Sequence, residues 1–345
     1  ETRNRKKVKN FVRNSETLSI KEYQLKLSNF LYIMRKEKTD PKNSTFTKVD
    51  LDGNIRHDYN SLADSISALP VLSSSVIQLV SFTEKSNETD IEDVLSVINE
   101  DQSLTSHVLR VANASKYVKF IKSDTLTDAI QLLGLEKVRD VALASSFMGN
   151  LLDPYSKGFD WQAFWKHSIS VGIISSLIAK FLGRKDFEKF YTAGLLHDMG
   201  KVGAFCLDEK NMLLVAKKAR EHNISMIQAE LMTEAPRHDL LGHAICKTWN
   251  LPEYIGQVCK NHHNISRNQR NISETDSNND FIDVVILANH LVHKIGIGYS
   301  GHNSNENRIE EVLDWLEISN QELKKIEELA KDEIKQSDGM MELLA

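Results

Sequence analysis

The sequence predicts an all-α fold. Apolar residues recur at helical spacing through most of its 345 residues, sustained two-residue alternation is missing, and helix-capping side chains stand where periodic segments begin. Leu25, Leu27, Phe30, Leu31, Ile33 and Met34 place a first helix between Leu18 and Lys36. Thr39 to Asn60 is polar and rich in turn formers, which makes it a linker. Inside it, Asp52-Gly53 stands between Thr47-Lys48-Val49-Asp50-Leu51 and Asn54-Ile55-Arg56, as a small hairpin or an exposed turn.

From Leu69-Pro70 onward the pattern is helical: Val71 to Thr83, Thr89 to Asn99, Leu104 to Ala114, Thr125 to Leu133 and Leu135 to Asn150. Asp90, Asp101 and Thr125 can accept from free backbone amides at helix starts, and Gly134 marks a stop. A second block follows in Trp161 to Leu182, Phe187 to His197, Glu209 to His222, Ser225 to Met232, His238 to Asn250, Glu253 to His262 and Asp280 to Ile295. Asn264 to Asn279 is too polar to pack and is expected to be mobile. The tail from Asn305 to Gln336 is periodic again, and Ser319 with Glu322 forms a capping box that divides it into two helices. The expected organisation is an amino-terminal helix and linker (1–60), a two-lobed domain (61–298, with lobes 61–150 and 151–298) and a helical extension (299–345).

Hydrophobic residues make up 41% and charged residues 26%, the balance of a globular protein with one large core or two medium ones. No apolar run reaches the roughly twenty residues that span a bilayer, and no leader with a charged start and cleavage site opens the chain. The expected compartment is the cytoplasm, without membrane contact. Cys206, Cys246 and Cys259 are odd in number and not closely spaced, so they are expected to be buried small residues, not a disulfide framework or thiolate zinc site. A net charge of -5 argues against a dedicated nucleic-acid binder, and the cluster Arg3, Arg5, Lys6, Lys7 and Lys9 suits a solvated helix end or linker.

The chemistry concentrates in Leu195-Leu196-His197-Asp198-Met199-Gly200-Lys201. An adjacent imidazole and carboxylate can chelate one divalent ion, and a Lys three residues on can meet a phosphate oxygen. A His beside an apolar run is more often a core residue bonded to a carbonyl, so the segment gains weight only from company. That company is His167 in Phe164-Trp165-Lys166-His167-Ser168, His238 followed by Gly242, and His262-His263. Gly242 permits close helix approach on the face of His238, which favours His238 over His243 as the pocket residue. Adjacent side chains on a helix diverge by about a hundred degrees, so one of His262 and His263 at most is expected to ligate directly.

The order of single His, His-Asp, single His and His-His resembles the HD superfamily of metal-dependent phosphohydrolases. Leu69-Pro70, Asp101-Gln102-Ser103-Leu104-Thr105, Leu109-Arg110-Val111-Ala112-Asn113-Ala114, Ala129 to Leu135 and Trp249-Asn250-Leu251-Pro252 narrow the likeness to the HDOD domain, a regulatory branch of bacterial proteins. The resemblance spans about Leu69 to Gly298, with Asp101-Gln102 standing where the family carries Asp-Pro. It implies a metal shell of His167, His197, Asp198, His238, His262, His263 and Asn289. If the chain is an enzyme, Asp198 and Lys201 are its catalytic residues. The implied cofactor is a divalent metal, Fe, Mn, Ni, Zn or Mg. In Ile286-Leu287-Ala288-Asn289-His290 the superfamily pattern places Asp at position 289, and no Gly-Tyr-Pro signature of the cyclic di-GMP phosphodiesterases follows His262-His263. Both departures turn the expected function toward a non-catalytic signalling module. Its implied partners are other signalling proteins or domains and a nucleotide second messenger, with homodimerisation open; the alternative is a metal-dependent phosphohydrolase or cyclic-nucleotide phosphodiesterase.

Overall fold

The computed structural model describes residues 47–49, 55–57, 74–84, 91–113, 124–151, 158–302 and 309–344. The helix expected between Leu18 and Lys36, the Asp90 cap and the basic amino-terminal cluster lie outside them. Strands β1 (Thr47–Val49) and β2 (Ile55–His57) pair antiparallel with Lys48 opposite Arg56, as a hairpin requires, and the expected turn at Asp52-Gly53 lies outside the described residues. All other regular structure among the described residues is helical, as expected.

Helices α1 (Ser74–Glu84), α2 (Ile91–Glu100), α3 (Gln102–Ala112), α4 (Leu126–Leu133) and α5 (Leu135–Leu151) form the amino-terminal group. Asp101 caps α3 by accepting from the Ser103 and Leu104 amides. Thr125 and Asp128 form a reciprocal box at the start of α4, and Gly134 ends it at φ 84°. Val94, Val97 and Ile98 of α2 recur at helical spacing and are buried. Each such side chain contributes about 1.5–3 kcal/mol on leaving water.

The second group is built on α6 (Trp161–Phe181), which is buried on nearly every face, so its sequence is apolar or small almost all round. Around it lie α7 (Phe187–Leu196), α8 (Met199–Leu207), α9 (Glu209–His222), α10 (Met226–Thr233), α11 (His238–Thr248), α12 (Glu253–Asn261) and α13 (Asn278–Ile295). Helix α8 is not apparent from periodicity, because Gly200 and Gly203 break the pattern and lower helix propensity. Packing explains them: a Cβ at Gly200 would stand 1.8 Å from the His238 carbonyl oxygen. Tyr191 of α7 donates to the Asp140 carbonyl of α5 at 3.1 Å, and Thr83 of α1 meets Tyr254 of α12 at 3.2 Å, joining the two groups.

Helices α14 (Glu310–Trp315) and α15 (Asn320–Leu344) are separated by the Ser319–Glu322 box, as the tail pattern requires. Helix α15 straps the groups together: Lys137 of α5 donates to Ser337 at 3.1 Å, and Lys294 of α13 pairs with Glu327. No helix among the described residues is long and apolar enough to cross a membrane.

Two expectations are overturned. The Asn264 to Asn279 segment is not loose: Arg270 is fully buried and donates to the Asn264 and Ile265 carbonyls, Asn279 and Asp283. Arg267 joins it on Asp283, so the polar run packs through a satisfied ionic network that apolar patterning cannot register. The cysteine expectation fails at one residue of the three, all of which are free. Cys206 is exposed, whereas Cys246 and Cys259 are buried with their sulfurs 3.7 Å apart, brought together by α11 packing on α12.

Candidate functional site

Helix α7 stops at Leu196 and α8 starts at Met199, so His197 and Asp198 sit at a break between two buried helices. Both are almost completely buried, as are His167, Lys201, His238 and His262. Asp198 is the centre of the cluster. Its Oδ2 lies 2.6 Å from Lys201 Nζ and 3.3 Å from His197 Nε2; its Oδ1 lies 3.4 Å from His262 Nε2 and 3.5 Å from His238 Nε2. Burial opposes the Asp198 charge, but Lys201 and then His197 outweigh it and hold the carboxyl well below its ordinary range.

Backbone carbonyls orient the rings. His197 Nδ1 faces the Gly194 oxygen at 2.8 Å, and His262 Nδ1 faces the Cys259 oxygen at 2.9 Å. A carbonyl only accepts, so each Nδ1 carries the proton and each Nε2 presents a lone pair inward. Those Nε2 atoms, with His167 Nε2, Asp198 Oδ1 and Asn289 Oδ1, are buried without a hydrogen-bond partner. Burial pushes His197 down and His167 well below the usual imidazole range, which keeps both neutral at neutral pH.

Among the described residues, ligand atoms of Asp198, His238, His262 and His263 lie within 4.8 Å of one another, and those of His167, His197 and Asp198 do likewise. Asp198 therefore joins two donor groups. The orphaned donors, their fixed tautomers and the shared carboxylate fit a divalent cation in either group. Both members of His262-His263 face the cluster, with rings 4.0 Å apart, contrary to the expectation of divergence. The reason is local: α12 ends at Asn261, and the pair lies on the turn beyond it.

His238 opens α11, held by the close approach at Gly200. Its Nδ1 lies 2.7 Å from Glu230 Oε1, and its backbone amide donates to Glu230 Oε2. Burial, then Asp239, raises the Glu230 carboxyl well above its ordinary range, so this pair holds a proton that a cation at Nε2 must displace. Lys201 differs from its expected place. Its ammonium is buried and donates to Asp198 and to the Ser300 carbonyl, 2.9 Å away, so it is turned inward. Asn289 stands on the α13 face that carries His293 one turn later. His243, left aside on sequence, bonds the Gly256 carbonyl instead.

Four pocket residues lie outside the motif reading: Glu230, His293, Ser300 and His302. His293 falls four residues after Asn289, a spacing that could have flagged it. Ser300 and His302 carry no pattern; they arrive because Gly298, at φ 68°, lets the chain run against the His167 backbone, where a Cβ would stand 2.4 Å from its nitrogen.

A family model for the HDOD domain matches residues 67–265. An uncharacterized protein of Treponema pallidum (strain Nichols) is 23% identical over 206 residues, which are 59% of this chain and 39% of that protein; the match thus spans well under half of that curated relative. An HDOD domain protein with unknown function from Geobacter sulfurreducens is similar in structure at TM-score 0.63 and 22% identity, covering 83% of this chain and 98% of that one. A protein of Marinobacter aquaeolei VT8, provisionally named for signal transduction, is similar at TM-score 0.65 and 18% identity, covering 95% of this chain and 68% of that one.

Proposed function

The chain belongs to the HDOD domain family, and on that premise we propose that it is a regulatory module of signal transduction. Its HD-type pocket takes a divalent cation or a nucleotide-like ligand and does not turn over phosphodiesters. The observation that carries this reading is the position of Lys201. An enzyme of this kind needs a cation free to meet the substrate phosphate, whereas two of the three Lys201 donors are spent on Asp198 and Ser300 inside the core. Asn289 supports the same reading, since an amide oxygen brings no negative charge to a metal shell.

The residues that would hold a cation are His167, His197 and Asp198 in one group, and Asp198, His238, His262 and His263 in the other. When bound, such an ion supplies Lewis-acid polarisation of a ligand oxygen. In a regulator the same attraction stabilises one arrangement of the two helical groups, with other signalling proteins or domains as readers of that state and the cytoplasm as its setting. The orphaned imidazole nitrogens favour the second reading, a metal-dependent phosphohydrolase.

Turnover decides between the two. Wild type and Asp198→Ala are assayed with phosphodiester and phosphomonoester substrates in Mn(II), Fe(II), Ni(II) and Mg(II). The regulator reading expects equal, background rates from both proteins. Wild-type turnover that disappears in Asp198→Ala overturns it.

A further inference from the structure

Beyond the motif residues, the pocket continues into a row of imidazoles on the Asn289 side. The rings of His167 and His293 lie 4.9 Å apart, and those of His293 and His302 lie 5.0 Å apart. His302 is 6% exposed, and its Nδ1 is buried without a hydrogen-bond partner. His293 Nε2 stands 3.4 Å from the Ser300 hydroxyl, and the carbonyl of the same serine accepts a hydrogen bond from Lys201. The row is therefore tied to the Asp198 centre at two points: at one end through His167, which shares a donor group with His197 and Asp198, and at its middle ring, His293, through Ser300 on Lys201. Both His293 and His302 lie beyond the segment that the family model matches.

We propose that His293, backed by His302, is a metal-site residue of this chain that supplies nitrogen where Asn289 fails to supply charge, making the pocket selective for borderline dications such as Ni(II), Co(II) and Zn(II) over Mn(II) and Mg(II). The chemistry is that of donor type. Imidazole suits borderline ions, whereas hard ions depend on anionic oxygen. With Asn at 289 the His167 side of the site keeps one carboxylate, Asp198, and that carboxylate already faces Lys201. Asn289 and His293 share one face of α13, so the lost oxygen anion and the gained nitrogen fall on the same wall. This inference rests on the reading that the pocket holds a dication, and the test separates the two.

Wild type, His293→Gln, His302→Gln, Asp198→Ala and the double variant His293→Gln with Asn289→Asp are titrated with Ni(II), Co(II) and Mn(II) by calorimetry, after unfolding curves confirm folding. His293→Gln is expected to weaken Ni(II) and Co(II) by about 10-fold or more and Mn(II) by less than about 2-fold, a contrast set by donor type. His302→Gln is expected to follow in the same order with a smaller loss. Asn289→Asp in the His293→Gln background is expected to restore Mn(II) binding in preference to Ni(II). Asp198→Ala, which removes the carboxylate that both donor groups share, is expected to abolish all binding. In unaltered protein, Co(II) is expected to shift the His293 ring protons paramagnetically by direct contact, a measurement that requires no variant to fold. Binding lost in Asp198→Ala but unchanged for every ion in His293→Gln, with unshifted His293 protons, overturns this inference alone. Absence of binding to wild type overturns the dication reading and this inference with it.

Discussion

Gly200→Ala isolates the packing that assembles the pocket. The added methyl would stand 1.8 Å from the His238 carbonyl oxygen and 2.7 Å from the Gly242 nitrogen, whereas real Cβ contacts essentially never fall below 3.0 Å. Since 3.0 − 1.8 = 1.2, α8 and α11 must separate by at least about 1.2 Å along that contact. The obstacle is backbone and cannot rotate away. Overpacking of this kind costs up to about 3 kcal/mol, against which replacing a helical Gly by Ala returns about 1 kcal/mol. The expected net loss is about 2 kcal/mol. It should appear as a lower urea midpoint at an unchanged slope. Because α8 carries Lys201 and directly follows Asp198, while α11 begins at His238, the same shift should weaken Ni(II) binding. Stability equal to or above wild type, the outcome of helix propensity acting alone, would refute the reasoning.

Arg270→Ala leaves Asp283 buried beside Arg267 alone, and removing one partner of a buried pair costs about 3–5 kcal/mol; hydrogen exchange across 264–279 should rise with it, and unchanged protection there contradicts the network described. Glu230→Gln removes the carboxylate that orients His238, so dication affinity should fall about 10–100-fold; affinity within about 2-fold of wild type, measured by calorimetry, would show that Glu230 does not orient a ligand. In metal-free protein, stability should fall as pH drops from about 7 to about 5. Burial, then Lys201, lowers His293 to about 4, and His167, His197, His238 and His302 also lie below their usual range, so the unfolded chain gains protons at these rings that outnumber those the native chain holds on the raised carboxyls of Glu230 and Asp140. Equal urea midpoints at the two pH values would rule out buried neutral imidazoles.

The helical fold was legible because most of its stabilisation is apolar burial at helical spacing, and because Asp101, Thr125, Gly134 and Ser319 act through bonds to nearby backbone, which leave a local sequence signal. What escaped is long-range or polar. Helix α8 was hidden by glycines whose purpose lies on another helix, and the ordered run around Arg270 by charges that look solvated until their partners are known. His167, His197, Asp198, His238, His262 and His263 were readable from order and spacing, and the structure brings them together as two donor groups that share Asp198, all buried except the half-buried His263. The inward turn of Lys201 was not readable, because Ser300 reaches it from ninety-nine residues away along a glycine-shaped loop.

The central claim is that this is an HD-type pocket whose Asn289 leaves it short of one charge, suited to binding and not to hydrolysis. The direct test is a pair of Mn(II) titrations, on wild type and Asn289→Asp, each followed by phosphodiester turnover on the loaded protein. An added carboxylate on that wall should tighten Mn(II) by about 10-fold or more and raise metal-dependent thermal stability with it, since an ion bound only by the native state stabilises it. Wild-type turnover should stay at background. Full occupancy and brisk turnover in the wild type, with the turnover lost on Asn289→Asp while occupancy stays high, would contradict the claim and make the chain an enzyme tuned to its asparagine.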